Sequence, residues 1–209
     1  MPVMSAIATN AKNNGELVYA YQQGDAEYNY KDIGPWGAVR NGYCAALSFK
    51  WIAQRLRGDD LPYDPKTLFA EKEDWRIARL HNLTKDVGYD PVMAELGLQR
   101  AGAGVTYLGI PSALQIVPPI VSTECDMVQY KREGGGHLVA IQYDGKLWRY
   151  FDANYGEFAF RSKDRFINWY QAFLSDSGYR NRYTVMVIVT QITWKSGGSV
   201  RALRGRFGG

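Results

Sequence analysis

Residues 136–152 constrain the fold more than any other stretch of this chain. Gly136–Tyr143 reads Gly-His-Leu-Val-Ala-Ile-Gln-Tyr, residues 146–152 read Lys-Leu-Trp-Arg-Tyr-Phe-Asp, and Asp144-Gly145 lies between them. Two β-rich runs around Asp-Gly predict an antiparallel hairpin closed by a two-residue type I′ turn, whose positive φ angles suit those two residues. In that register Tyr143 faces Lys146 and His137 faces Asp152, with Cβ atoms roughly 4.5–5.5 Å apart on one face of the sheet. A carboxylate so placed accepts a hydrogen bond from one imidazole nitrogen. It fixes the tautomer and leaves the other nitrogen for a thiol.

The thiol that suits this pair is Cys44. It sits in Arg-Asn-Gly-Tyr-Cys-Ala-Ala-Leu-Ser-Phe-Lys-Trp-Ile (40–52), where a polar loop becomes an apolar helix. The spacing predicts a helix over 42–57, with Asn41 as N-cap and Cys44 at the third helical position. Ala45, Phe49, Ile52 and Leu56 form one stripe and Leu47 and Trp51 a second apolar surface, so the helix is expected to be buried. At a helix start, unpaired N–H groups and the positive end of the dipole favour thiolate over thiol.

The order of elements gives the fold class. Residues 1–35 read as a mobile lead-in, although Leu17–Tyr21 has the character of a short strand. A helical half follows to about Leu98, broken near Gly88-Tyr89-Asp90-Pro91. Strands are expected over about 120–130, 136–143, 146–153 and 156–161. Ser162 caps a helix through Leu174, and Tyr183–Trp194 forms a last long strand. This is an α+β architecture, with the Cys44 helix packed on a C-terminal antiparallel sheet within a domain spanning 36–194. Residues 195–209 form a basic, Gly-rich tail.

Composition removes several function classes. Lys195, Arg201, Arg204 and Arg206 lie in the tail with no acid beside them. They account for the whole net charge of +4 and leave the body formally neutral. No basic stripe interleaved with aromatics occurs elsewhere, so no nucleic-acid partner is expected. The tail reads as a solvated terminus, with contact to acidic lipid as the secondary reading. Two cysteines and two histidines at scattered positions give no metal-site spacing. Gly134-Gly135-Gly136 lacks the Lys-Ser/Thr of a phosphate loop, so no metal or cofactor is expected. The sequence has no basic segment followed by an apolar core at its start and no membrane-spanning run.

Thiol hydrolysis requires a nucleophile, a base, a group that orients the base, and oxyanion donors. Cys44, His137 and Asp152 are the candidates for the first three. The Cys44 backbone N–H is one oxyanion donor, and the Asn41 side chain is the candidate second donor, with Gln22 and Gln23 behind it. Each residue alone has a bland reading: a cysteine in an apolar helix is commonly a small core residue, and Asp152 could cap a turn before Asn154-Tyr155-Gly156. Their joint placement favours catalysis. Cys125 and His81 lack partner patterns and read as structural. The three glycines before His137 fit either close approach of a substrate backbone or a flexible lead-in to the strand. Trp148 and Tyr150 share the His137 face and read as core by default.

Gly42-Tyr43-Cys44-Ala45-Ala46-Leu47-Ser48-Phe49-Lys50-Trp51, then Gly136-His137, then Asp152-Ala153-Asn154-Tyr155-Gly156-Glu157 resemble, in order, the blocks of the YopT-like cysteine peptidases. These are papain-fold enzymes delivered into host cells by bacterial secretion systems. The resemblance implies Cys44 as nucleophile, His137 as general base and Asp152 as orienting acid, with hydrolysis through a thioester acyl-enzyme. It also implies a protein substrate, manufacture in a bacterial cytoplasm and export without a cleavable signal peptide. Relatives in that family cut host signalling proteins, some near the lipidated C-termini of small GTPases and others within kinases. Two other readings stay open at this stage. A papain-like amidase of peptidoglycan peptides, or an acyltransferase, would use the same triad, and an inactive papain-like domain would bind a partner instead.

Overall fold

An eight-stranded antiparallel sheet carries helices on both faces in a computed structural model that describes residues 3–20, 43–58, 80, 84, 88–117 and 124–195. In chain order the elements are α1 (Val3–Asn14), β1 (Glu16–Ala20), α2 (Cys44–Leu56), α3 (Tyr89–Glu95), β2 (Leu98–Arg100), β3 (Val105–Leu108) and α4 (Ala113–Ile116). Then come β4 (Cys125–Arg132), β5 (Gly135–Tyr143), β6 (Trp148–Asp152), β7 (Gly156–Phe160), α5 (Lys163–Asp176), α6 (Tyr179–Arg182) and β8 (Met186–Trp194). The strand order is β1-β7-β6-β5-β4-β8-β2, and β3 also pairs with β8. The expected α+β class and the α2-on-sheet arrangement are both present.

Strand alternation divides the interior in two. On one face Met127, Leu138, Ala140, Phe151 and Ile192 meet Ala46, Phe49, Trp51 and Ile52 of α2, all buried. On the other, Val128, Tyr130, Val139, Ile141, Tyr150, Phe158 and Phe160 meet Phe166, Trp169, Tyr170 and Phe173 of α5, joined by Ile7 and Ala11 of α1. Burying side chains of this size contributes about 2 kcal/mol each. The two apolar surfaces expected of α2 follow from its position against the centre of the sheet.

Residues 3–20 correct the expected mobile lead-in. Ile7 and Ala11 of α1 are fully buried, Asn10 donates to the Trp169 carbonyl at 3.4 Å, and β1 closes the sheet edge against β7. The helical pattern of this segment is short and rich in small residues, so its signal comes from its partner α5 rather than from its own sequence. Residues 101–117, which the sequence reading leaves unassigned, contain β3 and α4, with the α4 cap formed reciprocally by Ser112 and Gln115. Ser162 caps α5 as expected, accepting from the Arg165 N–H at 3.3 Å.

α2 is tied to the sheet by polar bonds as well as by packing. The Ser48 hydroxyl donates to the Leu138 carbonyl of β5 at 3.0 Å. Glu157 of β7 is wholly buried and accepts from Trp51 Nε1 at 2.9 Å, from Arg55 at 2.5 and 2.7 Å, and from Arg149 at 3.0 Å. Trp51 also stacks on Phe151 at 5.8 Å. Glu157→Ala would strand the Arg55 guanidinium and the Trp51 N–H in the interior. It is expected to cost about 3–5 kcal/mol in urea unfolding, and a loss below about 1 kcal/mol would show that the network holds nothing.

Candidate active site

The β5–β6 hairpin departs from the expected turn. Tyr143 pairs with Trp148 and Val139 with Asp152, so the loop holds four residues and the register moves by two. The cause is Asp144 itself. Its Oδ1 accepts from the N–H groups of Lys146 and Leu147 at 2.9 and 2.7 Å, and its Oδ2 accepts from Arg149 Nε at 2.9 Å. Partial burial pushes the Asp144 carboxyl up, but these donors outweigh it and hold the group below the usual carboxylate range. A side chain that captures two backbone N–H groups competes with the narrow turn and wins here.

A shift of two preserves the face, and this rescues the site. His137 no longer faces Asp152 directly; the two are diagonal neighbours on the same side of the sheet, still within reach of long side chains. His137 Nε2 lies 2.8 Å from Asp152 Oδ1, leaving Nδ1 as the ring nitrogen for the thiol. Asp152 is fully buried and accepts four hydrogen bonds. Oδ1 takes His137 and the Asn154 N–H at 2.8 Å, and Oδ2 takes Tyr179 at 2.9 Å and Tyr150 at 3.2 Å. Asn154 Nδ2 in turn donates to the Tyr179 hydroxyl at 3.1 Å. The His137 ring is flanked by Tyr179, edge-on at 5.4 Å, and by Tyr183, stacked at 6.2 Å.

Cys44 approaches from the other layer. The helix begins at Cys44 with Tyr43 as N-cap, so Cys44 occupies the first helical position rather than the third. Asn41, Gln22, Gln23 and His81 lie outside the described residues. Cys44 is half-buried, and its side chain shares a hydrogen bond with His137 and accepts from the Leu138 backbone N–H. Burial acts to raise the thiol pKa, but the His137 charge, that hydrogen bond and the Leu138 N–H outweigh it, and the net shift is downward. For His137, burial pulls the imidazole down. The negative charges of Asp152 and Cys44 and the hydrogen bonds to both prevail, raising it well above its usual value. Both directions favour thiolate and imidazolium together.

Several neighbours were not legible from the sequence. Gln129 of β4 donates to the Tyr89 hydroxyl at 2.8 Å, and Tyr89 packs edge-on against Phe49 of α2. Burial, with the charge on Cys44 behind it, pushes the Tyr89 phenol up to about 12, so it stays protonated beside Cys44. Tyr179 and Tyr183 reach His137 from a short helix that follows Gly178, whose φ of +73° permits the sharp turn. Their sequence, Gly-Tyr-Arg-Asn-Arg-Tyr, carries no motif signal; only the fold brings it behind the histidine. Of the aromatic pair on β6, Tyr150 touches Asp152, while Trp148 stacks on Phe166 in the core. Cys125 is buried, and burial pushes its thiol well up, as befits an inert core cysteine. Gly136 is needed by the hairpin itself, because a Cβ there would meet the Tyr130 carbonyl oxygen at 2.7 Å.

The balance at His137 gives a spectroscopic prediction. With Asp152 present, the imidazole stays protonated above the ordinary pKa of about 6.5. In Asp152→Asn the burial penalty dominates, and the ring becomes neutral at or below that value. Titration of a histidine-labelled sample by NMR should show this drop, and an unchanged His137 midpoint would contradict the electrostatic account.

Comparison with known proteins adds the family. The family model described as Yersinia/Haemophilus virulence surface antigen, Peptidase_C58, matches residues 69–191, a span that includes His137 and Asp152 and starts beyond Cys44. The protein adenylyltransferase and cysteine protease IbpA of Histophilus somni is 36% identical over an alignment of 202 residues, gaps included; the match takes in 80% of this chain and 5% of that protein. The chain therefore spans about 5% of the length of that curated relative. The crystal structure of the Pseudomonas avirulence protein AvrPphB superposes with a TM-score of 0.53 at 16% identity, covering 74% of this chain and 93% of that one. That likeness shows a shared papain-like fold. With a family match over more than half its length, this chain belongs to the YopT-like family of cysteine peptidases.

Proposed function

We propose that the chain is an endopeptidase of the bacterial effector type, acting through a Cys44–His137–Asp152 triad on a protein substrate. The observation that carries this reading is a half-buried cysteine whose thiol is hydrogen-bonded to an imidazole, with the Nε2 of that ring held 2.8 Å from a buried carboxylate. The inactive-module reading calls for a buried Cys44 or an unperturbed thiol. The half-buried Cys44 and its lowered pKa speak against it.

The chemistry follows from the protonation states. The Cys44 thiolate attacks the scissile carbonyl carbon, and the developing oxyanion faces the free N–H groups of the α2 start, beginning with that of Cys44. Asn41, three residues ahead, is the proposed side-chain donor. Collapse of the tetrahedral intermediate breaks the C–N bond, and the proton on His137 passes to the leaving amine. A thioester on Cys44 remains. Neutral His137 then takes a proton from water, the hydroxide displaces the sulfur, and thiolate and imidazolium are restored. Asp152 keeps the ring in one orientation through both steps. Among the described residues no helix is long and apolar enough to cross a membrane. By the family's character the chain acts after export into a host cell, with the peptidase reading preferred over amidase or transferase.

The sign of the pH dependence is set by the two shifts. Cleavage rises as pH climbs through the depressed Cys44 pKa, below the ~8.5 of a free thiol, and falls as pH climbs through the raised His137 pKa and the proton donor is lost. The direct test adds the purified chain to host-cell lysate and labels new protein N-termini. Wild type is expected to create them, Cys44→Ala none, and His137→Ala about 10²-fold fewer per unit time. Termini that persist in Cys44→Ala would refute the assignment.

A further inference from the structure

The end of the sheet that carries His137 is framed by cations on two sides. Lys131 and Arg132 close β4, and Arg180 and Arg182 lie on α6, next to the tyrosines that flank the His137 ring. Lys131 pairs with Gly136, immediately before His137, and its carbonyl accepts from the Val185 N–H at 3.2 Å, which holds the end of β4 beside the segment that follows α6. The Arg132 guanidinium lies along Gly135, since a Cβ on that glycine would come within 3.6 Å of Arg132 Nε. Arg182 is near enough to Tyr155 for its charge to lower the phenol pKa, against the larger upward push of burial. Between residues 129–137 and 177–186 the sequence holds these four cations and one acid, Glu133 at the hairpin tip. None of the four has an ion-pair partner among the described residues. Arg132, Arg180 and Arg182 are exposed and Lys131 is half-buried. Gly134, Gly135 and Gly136 leave the strip between His137 and the hairpin tip without side chains, so a chain can lie along it.

The reaction fixes which part of a substrate meets this rim. His137 gives its proton to the leaving amine, so the residues that follow the scissile bond leave on the His137 side. We infer that Lys131, Arg132, Arg180 and Arg182 form a docking rim for an acidic segment of the substrate immediately C-terminal to the cleaved bond. This rests on the peptidase reading and narrows its substrate class: the carboxylates of a peptide pair with guanidinium and ammonium groups that have no ion-pair partner among the described residues. Exposed pairs contribute modestly one by one, and a row of them acts mainly through association rate and choice of partner.

Two measurements test the rim. In a proteome-derived peptide library, wild type is expected to enrich Asp and Glu at the second to fourth positions after the cut, and Arg180→Glu/Arg182→Glu to lose that enrichment or favour Lys and Arg. The iodoacetamide rate at Cys44 should be the same in both, which separates the rim from the nucleophile. The second measurement needs no turnover. A fluorescein-labelled Gly-Ala-Glu-Glu-Asp-Glu peptide should bind the Cys44→Ala chain, and the double charge reversal on that background should weaken binding by about tenfold. No acidic enrichment, enrichment only before the cut, or equal peptide binding by both chains overturns the inference. So does co-sedimentation with anionic vesicles that the reversal abolishes while peptide preference stays unchanged, since the rim would then face a lipid surface. Slow iodoacetamide labelling in wild type would instead remove the peptidase reading, and the binding measurement would still judge the rim.

Discussion

The buried carboxylate of Glu157 sets where Cys44 stands. It lies on β7, yet it receives Trp51 and Arg55 from α2 and Arg149 from β6. A charge taken out of water is tolerable only with its donors in place, so the helix has one position against the sheet at which the interior is satisfied. Ser48, one turn after Cys44, adds a bond to the Leu138 carbonyl. The N–H of that same Leu138 reaches the Cys44 sulfur. The distance between thiol and imidazole is therefore decided by contacts made along the helix, away from the reacting atoms. This gives a physical reason for serine and tryptophan at those spacings after the cysteine, and for Gly-Glu after the aspartate.

Asp152 plays the corresponding part on the sheet side. Four donors hold its two oxygens, three of them independent of His137. The carboxylate thus stays oriented whether or not the imidazole carries its second proton. Tyr179 and Tyr183 pack against the ring, which keeps His137 in an aromatic, largely buried setting. Low local dielectric strengthens the attraction between imidazolium and its two anionic neighbours, which overcomes the burial penalty on each.

Much of this was legible in the sequence, and the failures are instructive. α2, the strand succession and the Ser162-capped helix follow from periodicity and turn chemistry that local sequence encodes. The shared face of His137 and Asp152 survived a wrong register because the error was two residues, one full period of the strand. The turn failed because Asp-Gly was read as backbone preference alone. The carboxylate of Asp144 has its own claim on the next two N–H groups. Tyr179, Tyr183, Gln129 and Tyr89 were missed for a different reason. Contacts made across 27 to 46 residues leave no spacing signature, and an aromatic in a core-rich chain reads as core. Similarly, α1 is held by α5, more than 150 residues away.

The central claim is that Cys44 and His137 exist as an ion pair secured by Asp152. The most direct measurement is the pH dependence of iodoacetamide alkylation at each cysteine, read by mass spectrometry, in wild type, His137→Ala and Asp152→Asn. Fast labelling of Cys44 at pH 6 in wild type is expected, with its midpoint moved toward the ~8.5 of a free thiol in both variants and Cys125 slow throughout. A Cys44 that titrates like a free thiol in wild type, or a midpoint unmoved by loss of His137, would contradict the account.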